Sequence, residues 1–155
     1  MHKKRASKTG WCAMQTTIPE EKWDLKDFHG VRLTLRTDER HYVLNMRTAG
    51  LIGGMDQDVF QAHIPPCPLK GEWAQLRIPF GAFMVTWRGY VQSAQRSMNL
   101  EAITRLGVLI ADRKAGDFSL ELDDISAFRF HDEEMSDPLV KRALRLNGEL
   151  GYTDV

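Results

Sequence analysis

Apolar and polar residues alternate through most of the middle of the chain. Val31, Leu33 and Leu35 are separated by Arg32, Thr34 and Arg36, and Tyr42, Leu44 and Met46 alternate with Val43, Asn45 and Arg47. A period of two predicts half-buried strands. Asp38-Glu39-Arg40 supplies a turn, so residues 31–47 read as a hairpin. Val59 to Ile64 reads as a short strand stopped by Pro65 and Pro66. Trp73 to Phe80 is another, with Leu76, Ile78 and Phe80 on one face and both Trp73 and Phe80 expected in the core. Leu106, Val108 and Ile110 alternate again, as do Phe118, Leu120 and Leu122, with Gly116 suited to a tight hairpin turn between them. Ile125 to Phe130 reads as the last strand. These short strands with turn signals between them predict an all-β antiparallel sandwich. Its expected core holds Leu33, Leu35, Leu44, Leu76, Ile78, Val108, Ile110, Phe118, Leu120 and Leu122.

Helix is expected in two places. Asn99 can cap a single turn running to Ile103. Ser136 or Asp137 can cap a helix over 137–147, with Pro138 in its first turn and Asn147-Gly148 as a stop. Leu139, Ala143 and Leu144 are its expected buried residues, and Arg142 and Arg145 are expected to face solvent or an acidic partner. Residues 49–57, with three glycines, read as a loop.

Charge changes this picture locally rather than globally. The 155 residues carry 21 Lys+Arg and 21 Asp+Glu, which argues against a surface built for nucleic acid. Lys3, Lys4, Arg5 and Lys8 make the start basic, whereas residues 112–134 hold eight acids against three bases. Such stretches suit ordinary solvated faces or a protein partner. No apolar run approaches the ~18 residues of a spanning helix. Two cysteines, Cys12 and Cys67, are too few for a disulfide framework, and no N-x-S/T sequon occurs, which together favour a reducing setting.

The chemical motifs mostly fail. There is no phosphate-binding loop, and Gly50, Gly53 and Gly54 lead into no helix that would complete a dinucleotide fingerprint. His63 and Cys67 are two ligands at most, so a surface imidazole and a core thiol are preferred to zinc. Asp56 and Asp58 lack a complete calcium-loop pattern and read as a solvated turn. Asp123-Asp124 would point to opposite faces of a strand unless a bulge intervenes. No catalytic residue, cofactor site or metal site is therefore assigned, and no enzymatic activity is expected.

The aromatic residues say more. Trp87-Arg88-Gly89-Tyr90 follows the Trp73 strand and reads as a loop or second short strand. An exposed Trp/Arg/Tyr group there suits a protein hot spot or a stacking platform for sugar. The candidate partner-binding residues are Trp11, Trp87, Arg88, Tyr90, Arg142 and Arg145.

Three motifs in order then suggest a family. They are Trp73-x-x-Leu-x-Ile-Pro-Phe-x-x-Phe83 followed by Trp87-Arg88-Gly89; the run from Leu106 through Asp112, Gly116, Phe118 and Asp123 to Ile125; and Leu33-x-Leu-Arg36-Thr-Asp38-x-Arg40-x-Tyr42-x-Leu44-Asn45. Together they resemble the complex I intermediate-associated protein 30 family across about residues 10–130. The resemblance implies a jelly-roll β-sandwich similar to galactose-binding domains. It implies a non-catalytic scaffold that helps assemble or stabilise mitochondrial NADH:ubiquinone oxidoreductase, as assembly factor or retained accessory subunit. Implied partners are subunits of that complex or its assembly intermediates, with no nucleic acid and membrane contact only through partners. The implied place is the matrix side, peripheral to the inner membrane. A carbohydrate-binding jelly roll, or a scaffold for another membrane complex such as a photosystem, are the alternatives. Three parts are expected: a basic flexible arm (1–8), the sandwich (9–131) and a C-terminal helical tail (132–155). Family members usually open with an aromatic-containing segment and a Gly-Gly-x-Ser run, of which only Thr9 to Met14 resembles the end. Residues Trp11 to Ile18 are therefore expected at a sheet edge that needs covering.

Overall fold

A sheet with apolar residues on one face must bury that face against another layer, and this chain packs two sheets together to satisfy the requirement. The computed structural model describes residues 10–16, 21–49, 59–65 and 71–145. The strands are β1 (Cys12–Gln15), β2 (Gly30–Thr37), β3 (Tyr42–Thr48), β4 (Val59–Ile64), β5 (Ala74–Pro79), β6 (Met84–Trp87), β7 (Tyr90–Val91), β8 (Ile103–Ile110) and β9 (Leu120–Phe128). Six of them form one sheet in the order β1-β8-β3-β4-β6-β7, and three form a second in the order β5-β2-β9. Every pairing is antiparallel. The result is the expected all-β, jelly-roll-like sandwich.

The core lies between the sheets. Val31, Leu33 and Leu35 of β2 are buried with Tyr42, Leu44 and Met46 of β3 and Val108 and Ile110 of β8. Ile78 is buried too, and Leu76, Leu120 and Leu122 pack partly buried against the same cluster. Two expected core residues are not there. Phe118 is 46% exposed, because it precedes β9 and stands at the open side of the sandwich. Trp73 is 50% exposed, with the Arg36 guanidinium 5.1 Å from its ring centroid. It lies an odd number of residues from Leu76 and Ile78, so alternation puts it on the solvent face.

The expected hairpin at 31–47 is not one. β2 and β3 are consecutive but belong to different sheets, so residues 38–41 form an arch over the end of the core. The same correction applies at Gly116, since β8 and β9 also lie in different sheets. Arg40 explains both departures. Its Nε and Nη2 donate to the two carboxylate oxygens of Asp112 at 2.8 and 2.5 Å. Its remaining N–H groups donate to the carbonyls of Lys114, Gly116 and Asp117. Asp38 completes the lock by accepting from the Ser119 amide (2.7 Å) and the Tyr42 hydroxyl (3.1 Å). One arch is thereby pinned to the other.

The last two expected strands are one. β9 runs through both, with a register shift opposite Thr34/Leu35: Thr34 pairs with Asp124 and Leu35 with Leu122, leaving Asp123 as the extra residue. Both aspartates are exposed. The expected helical turn occurs at Leu100–Ala102, where Asn99 Oδ1 accepts from the Glu101 amide. The C-terminal helix α1 (Pro138–Arg145) is capped by Asp137, whose Oδ1 accepts from the Leu139 amide at 2.7 Å. It sits beside the Phe80–Ala82 turn, but Leu139, in the first turn of the helix, is 74% exposed and not buried as expected. Arg77 ties the approach to this helix to the sandwich, donating to Glu134 at 2.6 Å while stacking on Phe128 and Phe130. The side chains of Ala143, Leu144 and Arg145, and residues 1–8, Gly50, Gly53, Gly54, Asp56, Asp58, Cys67 and Asn147-Gly148, lie outside the described residues.

Candidate partner-binding groove

The outward face of the six-stranded sheet is polar because the residues between the core positions are. Asn45 and Arg47 on β3 and Gln61 on β4 alternate with buried Leu44, Met46, Phe60 and Ala62. With Gln15 of β1 they form the floor of an open groove of about 890 Å³. Gln61 Nε2 donates to Asn45 Oδ1 at 2.9 Å, which fixes both amides. Trp11 stands at one rim and Trp87 with Arg88 at the other. Trp11 is 71% exposed and Trp87 40%. Among the described lining residues there are two arginines and no acid, so the groove favours an acidic or neutral occupant.

The second rim is built by a tight turn. Trp87 pairs with Tyr90, and Arg88 (φ 51°) and Gly89 (φ 83°) take the two left-handed positions of a two-residue hairpin. Arg88 Cζ lies 4.5 Å from the Trp87 ring centroid, so the guanidinium stacks on the indole. Gln95 braces the hairpin from behind: its Oε1 accepts from the Val85 amide, and its Nε2 donates to the carbonyls of Val85 and Gln92. Tyr90, 73% exposed, projects beside Trp87.

Four of the six expected site residues thus come together: Trp11, Trp87 and Arg88 line the groove, and Tyr90 adjoins it. Arg142 is exposed on α1 and is not part of this lining. Arg145 has no described side chain. The residues missed were Gln15, Asn45, Arg47 and Gln61. Their signal was the polar phase of the same alternation that marked the core.

The arches carry the strongest electrostatics but are closed. The Arg40 guanidinium holds the Asp112 carboxyl well below its ordinary value. Burial, then the Asp38 hydrogen bond, pushes the Tyr42 hydroxyl up to about 12. Every donor of Arg40 is used internally, so this cluster is a pin rather than a reactive site. Among the described residues no three His, Cys, Asp or Glu come together as a metal site, and no helix is long and apolar enough to cross a membrane.

The complex I intermediate-associated protein 30 family model matches residues 2–122. The chain belongs to this family. The three motifs acquire places in the fold: one supplies β5 and the groove-side hairpin, and the other two supply the arches that Arg40 and Asp112 lock together. Relatives named complex I intermediate-associated protein 30, mitochondrial, include that of Mus musculus, 28% identical over 138 residues, covering 83% of this chain and 41% of the relative. That of Drosophila melanogaster is 30% identical over 107 residues, covering 67% and 36%. The chain therefore spans about two-fifths of the length of these curated relatives. Among solved structures, the family 11 carbohydrate-binding module of a Clostridium thermocellum cellulosomal cellulase superposes with a TM-score of 0.59 at 17% identity, covering 77% of this chain and 68% of the module. The same family's module in complex with a β-1,3-1,4-mixed-linked tetrasaccharide gives a TM-score of 0.53 at 13% identity, covering 81% and 91%. At these identities the likeness establishes the jelly-roll fold and nothing further.

Proposed function

We propose that this chain serves the assembly or stability of mitochondrial respiratory complex I as a non-catalytic binding module on the matrix side of the inner membrane. The carrying observation is the family match over residues 2–122, with relatives named as mitochondrial complex I intermediate-associated proteins. The groove and the Trp87–Tyr90 hairpin are its protein-contact surface. Exposed Trp, Tyr and Arg held by a braced turn are the residue types that dominate protein hot spots. The basic lining selects an acidic segment of an assembly intermediate. The test is complementation of cells lacking this protein with wild type or with Trp87→Ala/Tyr90→Ala. Wild type restores fully assembled complex I on native gels, and the double variant leaves it depleted at equal protein level. Normal complex I without the protein would end the assembly reading, and full rescue by the double variant would end the assignment of the surface.

A second reading rests on the groove itself. Indole walls over an amide floor are suited to stacking on sugar rings and hydrogen-bonding their hydroxyls. Titration with a mixed-linkage glucan tetrasaccharide, followed by tryptophan fluorescence, tests it. A saturating change lost in Trp87→Ala supports it, and no change at millimolar sugar removes it.

A further inference from the structure

The floor of the groove contains a hollow of its own. Gly107 of β8 pairs with Gln15 of β1 on one side and with Asn45 of β3 on the other, so these three share one row across the sheet. Gly107 has no side chain, which leaves the row low at its centre. A Cβ there would meet the Met14 carbonyl oxygen at 2.7 Å and the Gln15 Cβ at 3.0 Å, so the position stays bare. In the next row Arg105 of β8 faces Arg47 of β3. Gln15, Asn45, Arg47 and Arg105 thus wall a hollow of about 40 Å³ at Gly107. It shares Gln15, Asn45 and Arg47 with the groove.

Like charges directly opposite each other on adjacent strands repel, and an anion between them removes the cost. No acid is among the described residues lining the hollow. The Arg105 guanidinium finds no acceptor among the described residues, although the residue is only partly exposed. The backbone sets its direction. Arg47 pairs with Arg105 but Thr48 pairs with Ile103, which makes Thr104 the extra residue of a bulge. The Thr104 hydroxyl donates to the Arg47 carbonyl at 3.2 Å and pins that bulge. Bulges re-aim the side chains beside them. Asn45 adds a further donor: its Oδ1 is taken by Gln61, which leaves Nδ2 for a ligand.

We infer that this hollow seats a carboxylate, supplied by an Asp or Glu side chain of a protein segment lying in the groove. The uncompensated charge selects an anion. Size selects which anion: about 40 Å³ holds roughly three water-sized groups, the carbon and two oxygens of a carboxylate, and no sugar ring. A guanidinium fork can receive both carboxylate oxygens, the geometry in which arginine binds best. The protein source follows from continuity. The hollow opens on a groove of about 890 Å³ with exposed indoles at its rims, far more surface than a small free acid covers. The seat rests on the groove being the contact surface proposed above, and it names what anchors an acidic occupant there.

The experiment titrates the full 155-residue chain with tetraglutamate, read by tryptophan fluorescence and by the thermal midpoint. Tetraglutamine and sodium acetate are the comparison probes. Tetraglutamate should bind saturably and raise the midpoint, and tetraglutamine and acetate at equal carboxylate concentration should do neither. Arg105→Gln removes the unpaired guanidinium and should weaken tetraglutamate binding at least about tenfold. Arg105→Lys should recover part of that loss, because the charge returns without the fork. Lys141→Gln removes the same charge from the exposed face of α1 and should leave binding unchanged. Without a probe, the midpoint of Arg105→Gln should be no lower than that of wild type, because the substitution relieves a like-charge contact. That result separates a ligand seat from a structural arginine. Absence of saturable tetraglutamate binding overturns the proposal. So does an equal loss in Lys141→Gln, acetate as effective as the peptide, or a lowered midpoint in probe-free Arg105→Gln. The two readings fail distinguishably: full rescue of complex I by Trp87→Ala/Tyr90→Ala leaves the tetraglutamate titration untouched, and a failed titration leaves that rescue result untouched.

Discussion

Two arginines, one in the arch between the sheets and one at a hairpin tip, show how this molecule divides its polar chemistry. Arg40 has given every donor to the protein: a carboxylate and three backbone carbonyls, in a loop more than seventy residues away. Arg88 occupies a left-handed backbone position at a hairpin tip and stacks on an exposed indole. The first arginine closes a structure, and the second holds an aromatic surface ready for something else. Motif strength in a sequence therefore does not by itself mark a contact surface. Two of the three family motifs here are arches that hold the fold.

The largest expected effect comes from Arg40→Met. It leaves Asp112, whose side chain is only 6% exposed, without its countercharge. The thermal midpoint should fall more than for any other substitution named here. The pH dependence identifies the cause. Asp112 has a folded value below its ordinary 3.8, so its contribution is complete above that value and is lost as pH falls through the folded value. The gap between wild type and Arg40→Met should therefore be widest near neutrality and narrow below pH 3.8. A gap independent of pH would break the pin account. On the alkaline side, Tyr42 is raised from 10.0 to about 12, so its share is present below pH 10 and is lost between those values.

Gly89→Ala tests the hairpin tip. A Cβ there meets no neighbour, but φ is +83°, so the cost is backbone strain of roughly 1 kcal/mol, read by denaturant titration. Thr37→Val should move stability the other way by about 1 kcal/mol. The Thr37 hydroxyl is buried and has no hydrogen-bond partner, and an isosteric methyl removes that deficit. The smallest stability change belongs to Trp87→Ala, within about 0.5 kcal/mol of wild type. Its effect should fall on complex I assembly in cells. If Trp87→Ala destabilises as strongly as Arg40→Met, the division between pinned and presented arginines fails.

Much of the fold was legible in the sequence. Val59–Ile64 is a strand between the expected limits, and Asn99 caps the turn assigned to it. Alternation reports which face is buried, and it reports this well. It carries no information on which strand is the neighbour. Asp38-Glu39-Arg40 looks the same in a hairpin and in an arch, and what separates them is a guanidinium reaching residues 112–117. Trp73 was expected in the core as part of an alternating strand, but its parity with Leu76 and Ile78 sets it on the solvent face. The groove was half legible: Trp87 and Tyr90 are conspicuous as exposed aromatics after a strand, whereas Asn45 and Gln61 look like any solvated positions until β3 and β4 are placed side by side.

β2 is the centre of the three-stranded sheet, and its neighbours β5 and β9 begin at residues 74 and 120. The register joins Gly30 to Phe128, and the arch lock joins Arg40 to Asp112. During synthesis, then, the first half of the chain emerges with its central strand unpaired on both sides. Loop-closure entropy must be met across some ninety residues before that sheet exists, which makes folding slow and late. Until Phe128 has left the ribosome, β2 lacks its β9 neighbour, and the nascent chain depends on whatever shields that open edge in the interval.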